Sequence, residues 1–176
     1  MKTFTSIRGT AVLSARGTYR YILRRYIEHA HGRKRFVILW VMVNPSTADA
    51  FNNDPTIRKV IEFTKRMGGT EAVVVNKFAY RAKDVKELRT ALDPVGPANA
   101  MWMRKAIKEA DQIIVAWGSL NKLPKHLRTE HKKVSALLTE FGKTPLCLEL
   151  TKDGDPSHPV MLGYEREILP WPGYGD

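Results

Sequence analysis

Only one cysteine, Cys147, occurs in the 176 residues, so no intramolecular disulfide and no multi-cysteine metal cluster can form. Long apolar runs are missing too. The longest, Phe36–Val43, has eight residues, where a membrane span needs about 20. Residues 1–17 offer no apolar stretch of the kind a secretory signal requires. Acidic residues are few: 18 Asp+Glu stand against 29 Lys+Arg, a formal net charge of +11. Nucleotide signatures of the form G-x-G-x-x-G or G-x-x-x-x-G-K-[ST] are absent, which argues against dinucleotide binding and P-loop hydrolysis. There is no G-x-S-x-G elbow and no H-E-x-x-H helix, so neither a serine hydrolase nor a zincin is indicated, and no metal or other cofactor is expected.

These absences leave a soluble, cytoplasmic, basic protein, expected to be a monomer with no membrane partner. Its hydrophobic fraction of 43% and its length predict one globular domain over residues 1–176. The excess charge points to a polyanion, nucleic acid before others, with solubility alone as the other reading.

Periodicity organises the chain. In Thr18–Ala30, Tyr19, Ile22, Leu23, Tyr26, Ile27 and Ala30 fall at helical spacing, which predicts a helix ended by His29, His31 and Gly32. Phe36–Val43 is apolar without alternation and reads as a strand buried on both faces. Asp54-Pro55 opens a helix, with Asp as N-cap and Pro at the first position. Further strands are expected at Ala72–Val75, Gln112–Trp117 and Pro145–Leu150, with helices near Asp84–Leu92, Pro97–Ala110 and Pro124–Phe141. The alternation predicts an α/β fold: three layers, α/β/α, around a mainly parallel sheet of about four strands.

In a parallel sheet the loops after the strands share one rim, where ligands bind. Each such loop here carries chemistry. Asp49 is a candidate general base or a turn residue, and Asp54 a cap or a further carboxylate. Asn44 and Asn76 end strands, where an amide offers a donor and an acceptor to a nucleobase edge or serves loose backbone ends. Phe51, Phe78 and Tyr80 could sandwich a planar base or belong to the core. His158, beside Ser157, could stabilise charge on a leaving group. Arg33, Lys34 and Arg35, with Lys122, Lys125, Arg128, Lys132 and Lys133, form basic clusters suited to phosphates, and Lys77 and Arg81 lie in the rim loops.

The segments Asn44-Pro45-Ser46-Thr47-Ala48-Asp49-Ala50, Asp54-Pro55-Thr56-Ile57-Arg58, Asn76-Lys77-Phe78-Ala79-Tyr80-Arg81, Ala116-Trp117-Gly118 and Thr151-Lys152-Asp153-Gly154 with His158-Pro159 resemble a bacterial and phage family known as a domain of unknown function. More distantly, the order of motifs is similar to the uracil-DNA glycosylase superfamily. That resemblance implies its fold and the hydrolysis of an N-glycosidic bond to a damaged, mismatched or modified base in DNA. By the same resemblance the loop of Asn44, Pro45 and Ser46 positions the attacking water, through Asp49 or through Asn44 itself. Asn76 reads the base, Phe51 or Phe78 stacks on it, and His158 with Ser157 supports its departure. The residue after Asn44-Pro45 is Ser where that superfamily has Gly. A nucleic-acid-binding module without catalysis and an enzyme acting on free nucleotides or nucleosides are the alternatives.

Overall fold

In the computed structural model, residues 1–6, 8–28 and 32–173 are described. Along them run β1 (Lys2–Ser6), β2 (Gly9–Leu13), β3 (Arg20–Tyr26), β4 (Val37–Met42), α1 (Pro55–Arg66), β5 (Glu71–Asn76), α2 (Asn99–Glu109), β6 (Gln112–Val115), α3 (Glu130–Glu140), β7 (Leu146–Cys147) and β8 (Leu169–Pro170). All eight strands join one mixed sheet in the order β1-β2-β3-β5-β4-β6-β7-β8. This overturns the expected fold, a three-layer uracil-DNA-glycosylase-like α/β/α domain on a mainly parallel sheet of about four strands. β5, β4, β6 and β7 do run parallel to one another. An antiparallel meander of β1, β2 and β3 extends the sheet at β5, and β8 closes the far edge antiparallel to β7.

The expected helix at Thr18–Ala30 is strand β3, and burial explains the difference. Arg20 and Arg25, which helical spacing assigns to solvent, are 3% and 2% exposed. Arg25 donates to Asn53 Oδ1 at 2.7 Å, to Asn52 O at 3.2 Å and to Asp49 O. Inward arginines satisfied by loop carbonyls thus imitate the polar face of a helix. His29, Ala30 and His31, read as part of the helix end, lie outside the described residues. β2 needs its first glycine, since a Cβ on Gly9 would stand 1.9 Å from Arg24 O of the neighbouring strand.

β4 lies at the centre with all six residues buried. Trp40 anchors one face, its Nε1 donating to Thr64 Oγ1 of α1 at 2.9 Å. On that face Ile57, Val60 and Phe63 of α1 pack against Ile38, Trp40, Val74 and Ile114. On the other, Met103 and Ile107 of α2 and Val134 and Leu138 of α3 cover Leu39, Val41, Val73 and Val115. The expected helix near 84–92 is a 3-10 turn, Val85–Arg89, closed by the Asp84/Glu87 capping box. That expected at 124–141 divides into a 3-10 turn, Lys125–Leu127, and α3.

The connections position the site. α1 leads from β4 to β5 on one side, and α2 carries the chain back across β4 to β6 on the other. Crossovers that diverge from a central strand leave a crevice at its carboxyl end.

Candidate functional site

That crevice is a cleft of about 410 Å³ at the carboxyl ends of β4, β5 and β6. Its lining brings together Asn44, Ser46, Asn76, Lys122 and His158, all expected from sequence, with Arg20, Asp54, Lys83, Trp117 and Ser119.

Its first wall is the loop from Asn44 to Asp54. Arg81 braces this loop, donating to Ser46 O and Thr47 O at 3.4 Å each and to Gly17 O at 3.3 Å. Asn44 Nδ2 donates to Ala82 O at 2.9 Å, and no hydrogen bond among the described residues uses its Oδ1, an acceptor. Asp54 caps α1 as expected, Oδ1 accepting from Ile57 N at 2.8 Å. No hydrogen bond within the described residues uses Oδ2, so one carboxylate does two things: it caps a helix and gives the cleft an anionic acceptor.

Asp49 has no such place. Its Oδ1 accepts from the amides of Phe51 and Asn52, at 2.9 Å each, and from Asn52 Nδ2 at 3.3 Å, and it is not among the cleft residues. Burial would raise its pKa, but these hydrogen bonds outweigh that and hold it below the usual carboxylate value. Asp49 shapes the loop, and Asp54 supplies the carboxylate.

His158 also lines the cleft. Gly118, at φ +75°, lets β6 end close against it: a Cβ there would lie 3.3 Å from the His158 Cβ. Burial pushes the His158 pKa down to about 4, against the pull of Asp54 and with the repulsion of Lys122. The imidazole is therefore neutral near pH 7. Nδ1 accepts from Val160 N at 3.4 Å, which assigns the proton to Nε2.

Every residue of the cleft lies between Arg20 and Val160. The model of one family, described as Protein of unknown function (DUF1643), matches residues 20–160, the same span. The chain belongs to the DUF1643 family. No curated protein and no solved structure matches it.

In this DUF1643 protein the other expected residues take different positions. Phe51 is 61% exposed and Phe78 fully buried, packed with Ala82, Leu88, Leu123 and Leu127. Tyr80 is half-buried with its ring edge-on to Tyr19, centroids 6.1 Å apart. Pro45 is buried, its carbonyl accepting from Ala82 N, and Ser157 N donates to Glu149 O. None of them lines the cleft. The aromatic wall is Trp117, 3% exposed and edge-on to Trp171.

The basic residues divide. Lys122, Lys125 and Arg128 line a groove of about 560 Å³ with Lys86, Arg89 and His126 and no acidic side chain. The groove shares Lys122 and Leu123 with the cleft, so the two are neighbours. Lys132 and Lys133 are exposed on α3, with Lys133 paired to Glu130 at 3.0 Å. Arg33, Lys34 and Arg35 precede β4 and stand at the amino ends of the parallel strands, about 20 Å from the cleft by strand rise. Arg35 is there paired with Glu71 at 2.9 Å. They cannot flank a ligand in the cleft.

Lys77 cannot touch a phosphate either. It is 1% exposed, its Nζ has no hydrogen-bond partner among the described residues, and it lies 4.9 Å from the Trp117 ring centroid. Burial lowers its pKa to about 7, against the pull of Asp155 and Glu130. The fold therefore holds this amine less protonated than the unfolded chain does, and stability falls as pH drops from about 10.5 through about 7. Lys77→Met is expected to raise the melting temperature at pH 7 and to flatten its rise between pH 7 and 10, followed by thermal denaturation.

Proposed function

We propose that the chain is an enzyme that hydrolyses the N-glycosidic bond of a damaged, mismatched or modified base in DNA. One observation carries this reading. A cleft lined by a carboxylate and a neutral imidazole donor adjoins a groove whose charged side chains are all basic.

The chemistry needs those two groups. As the bond breaks, its electron pair leaves with the base, positive charge develops on the sugar, and a water oxygen bonds to the anomeric carbon. Asp54 Oδ2 and Asn44 Oδ1 are acceptors able to orient that water, and Asp54 takes its proton. The Nε2–H of His158 donates to the negative charge gathering on the base. A pKa of about 4 suits this role, since a donor that stays neutral at pH 7 adds no proton of its own that must be lost. Asn76 offers its amide to the base edge, and the Trp117 ring supports the base face.

Extruding a base from a duplex costs a few kcal/mol, and phosphate contacts in the groove offset this. Lys125→Gln or Lys86→Gln is therefore expected to weaken DNA binding and to reduce the salt slope by about 1 each. Arg33→Gln is expected to leave both unchanged. Fluorescence-anisotropy titrations at several salt concentrations check this contrast.

The function itself is tested with duplex and single-stranded DNAs carrying assorted altered bases, followed by alkali to cleave abasic sites. Strand cleavage with at least one substrate is expected. Binding without cleavage of any substrate would mark a binding module and end the enzyme reading.

A further inference from the structure

Helical spacing assigns Arg20 to solvent, whereas the structure places it in the lining of the cleft. It opens β3, is 3% exposed, and has no carboxylate in ion-pair contact among the described residues. Its guanidinium donates to Ala48 O at 3.0 Å and to Asn76 Oδ1 at 3.3 Å. A buried cation without a contacting carboxylate is costly, and the attraction of Asp54 and Asp49 does not outweigh its burial, so its placement asks for a function.

The chemistry of the pair supplies one. A guanidinium has five N–H donors and no acceptor. The Asn76 atom that faces it must therefore be the carbonyl oxygen, which fixes the amide orientation without appeal to any ligand. The backbone is fixed as well, because Asn99 Nδ2 donates to Asn76 O at 2.9 Å and to Lys77 O at 3.1 Å. Asn76 is 2% exposed and lines the cleft, and its Nδ2 has no partner among the described residues. An amide that in isolation would offer either end to a ligand is thus held with its NH₂ uncommitted.

We infer that Arg20 is a positioning residue that locks Asn76 as a hydrogen-bond donor, so that the cleft selects nucleobases presenting a carbonyl oxygen over those presenting an exocyclic amine at the same position. The inference rests on the cleft being a nucleobase pocket, and it adds which edge that pocket accepts. Selection comes from pairing: a base amine set against Asn76 Nδ2 leaves two donors facing each other in a desolvated site.

Calorimetric titration of the full chain with nucleoside monophosphates tests this without any need for turnover. Uridine and cytidine monophosphates carry a carbonyl or an amine at one ring position, and so do inosine and adenosine monophosphates. The carbonyl member of each pair is expected to bind roughly tenfold or more tightly. Arg20→Met frees the amide to rotate and brings the two members close to equal affinity, whereas Arg20→Lys keeps a donor against Oδ1 and keeps the preference. If Arg20→Met does not fold, Asn76→Asp decides alone. A carboxylate only accepts, one of its oxygens stays with Arg20, and the preference reverses toward the amines.

Equal affinities in the wild type, or a preference that Asn76→Asp leaves unchanged, would overturn the inference even if DNA bases are released. Binding of none of the four nucleotides would overturn it too. A carbonyl preference that reverses as described, in a protein that releases no base, would support it while ending the hydrolysis reading.

Discussion

Asp54→Asn is expected to fold as the wild type does and to release base at least about 100-fold more slowly. The substitution separates the two roles of one carboxylate. Asn is as good an N-cap as Asp, so its side-chain oxygen still accepts from Ile57 N and α1 keeps its start. What is lost is the anionic oxygen that takes a proton from water. Asp54→Ala removes both, and adds a destabilisation of about 1 kcal/mol to the same loss of rate. Asp49→Asn keeps the wild-type rate, because Asp49 spends its carboxylate on the amides of Phe51 and Asn52. Single-turnover base release, with thermal denaturation of the same preparations, reads all three.

The second large effect belongs to His158. Removing one preorganised donor from a site of developing negative charge costs about 100- to 1,000-fold in kcat, and His158→Ala is expected to lose that much. The wild-type rate should show no inflection near 6.5, since burial has moved the His158 titration down to about 4. Stability carries the same signature with a definite sign. Between pH 6.5 and about 4 the unfolded chain binds a proton that the folded imidazole refuses, so the fold loses stability as pH falls through that window and is unaffected above it. His158→Asn removes this contribution, and its melting temperature should fall less steeply over the same range. A rate that collapses on protonation near 6.5 would show that His158 titrates as an ordinary exposed imidazole.

Much of this site was legible in the sequence where local signals are strong. Phe36–Val43 read as a buried strand and forms the central one, and Asp54-Pro55 read as a helix start and caps α1. The rim logic also pointed to Asn44, Ser46, Asn76 and His158, which meet in one cleft. The failures share a physical cause. Residues 18–28 satisfy a helical period, yet Arg20, Arg24 and Arg25 face carbonyls, Asn76 and the Glu71 and Glu109 carboxylates of distant segments. A buried arginine looks like a surface one until its distant partners are known, and these lie 24 to 85 residues away. Asp49 and Asp54 are equally polar and close in sequence. Which one faces the cleft depends on a turn closed by Asp49 itself, and composition does not reveal it. β1 and β8 are short exposed edges with little apolar pattern to find.

The central claim is that this cleft breaks a base–sugar bond with Asp54 as its carboxylate. Mass spectrometry of the small molecules released from base-modified DNA tests it most directly, with wild type, Asp49→Asn and Asp54→Asn incubated in parallel. The prediction is one free base, of a mass matching one of the altered bases supplied, from wild type and Asp49→Asn and almost none from Asp54→Asn. No free base from the wild type, or equal release from Asp54→Asn, would contradict it.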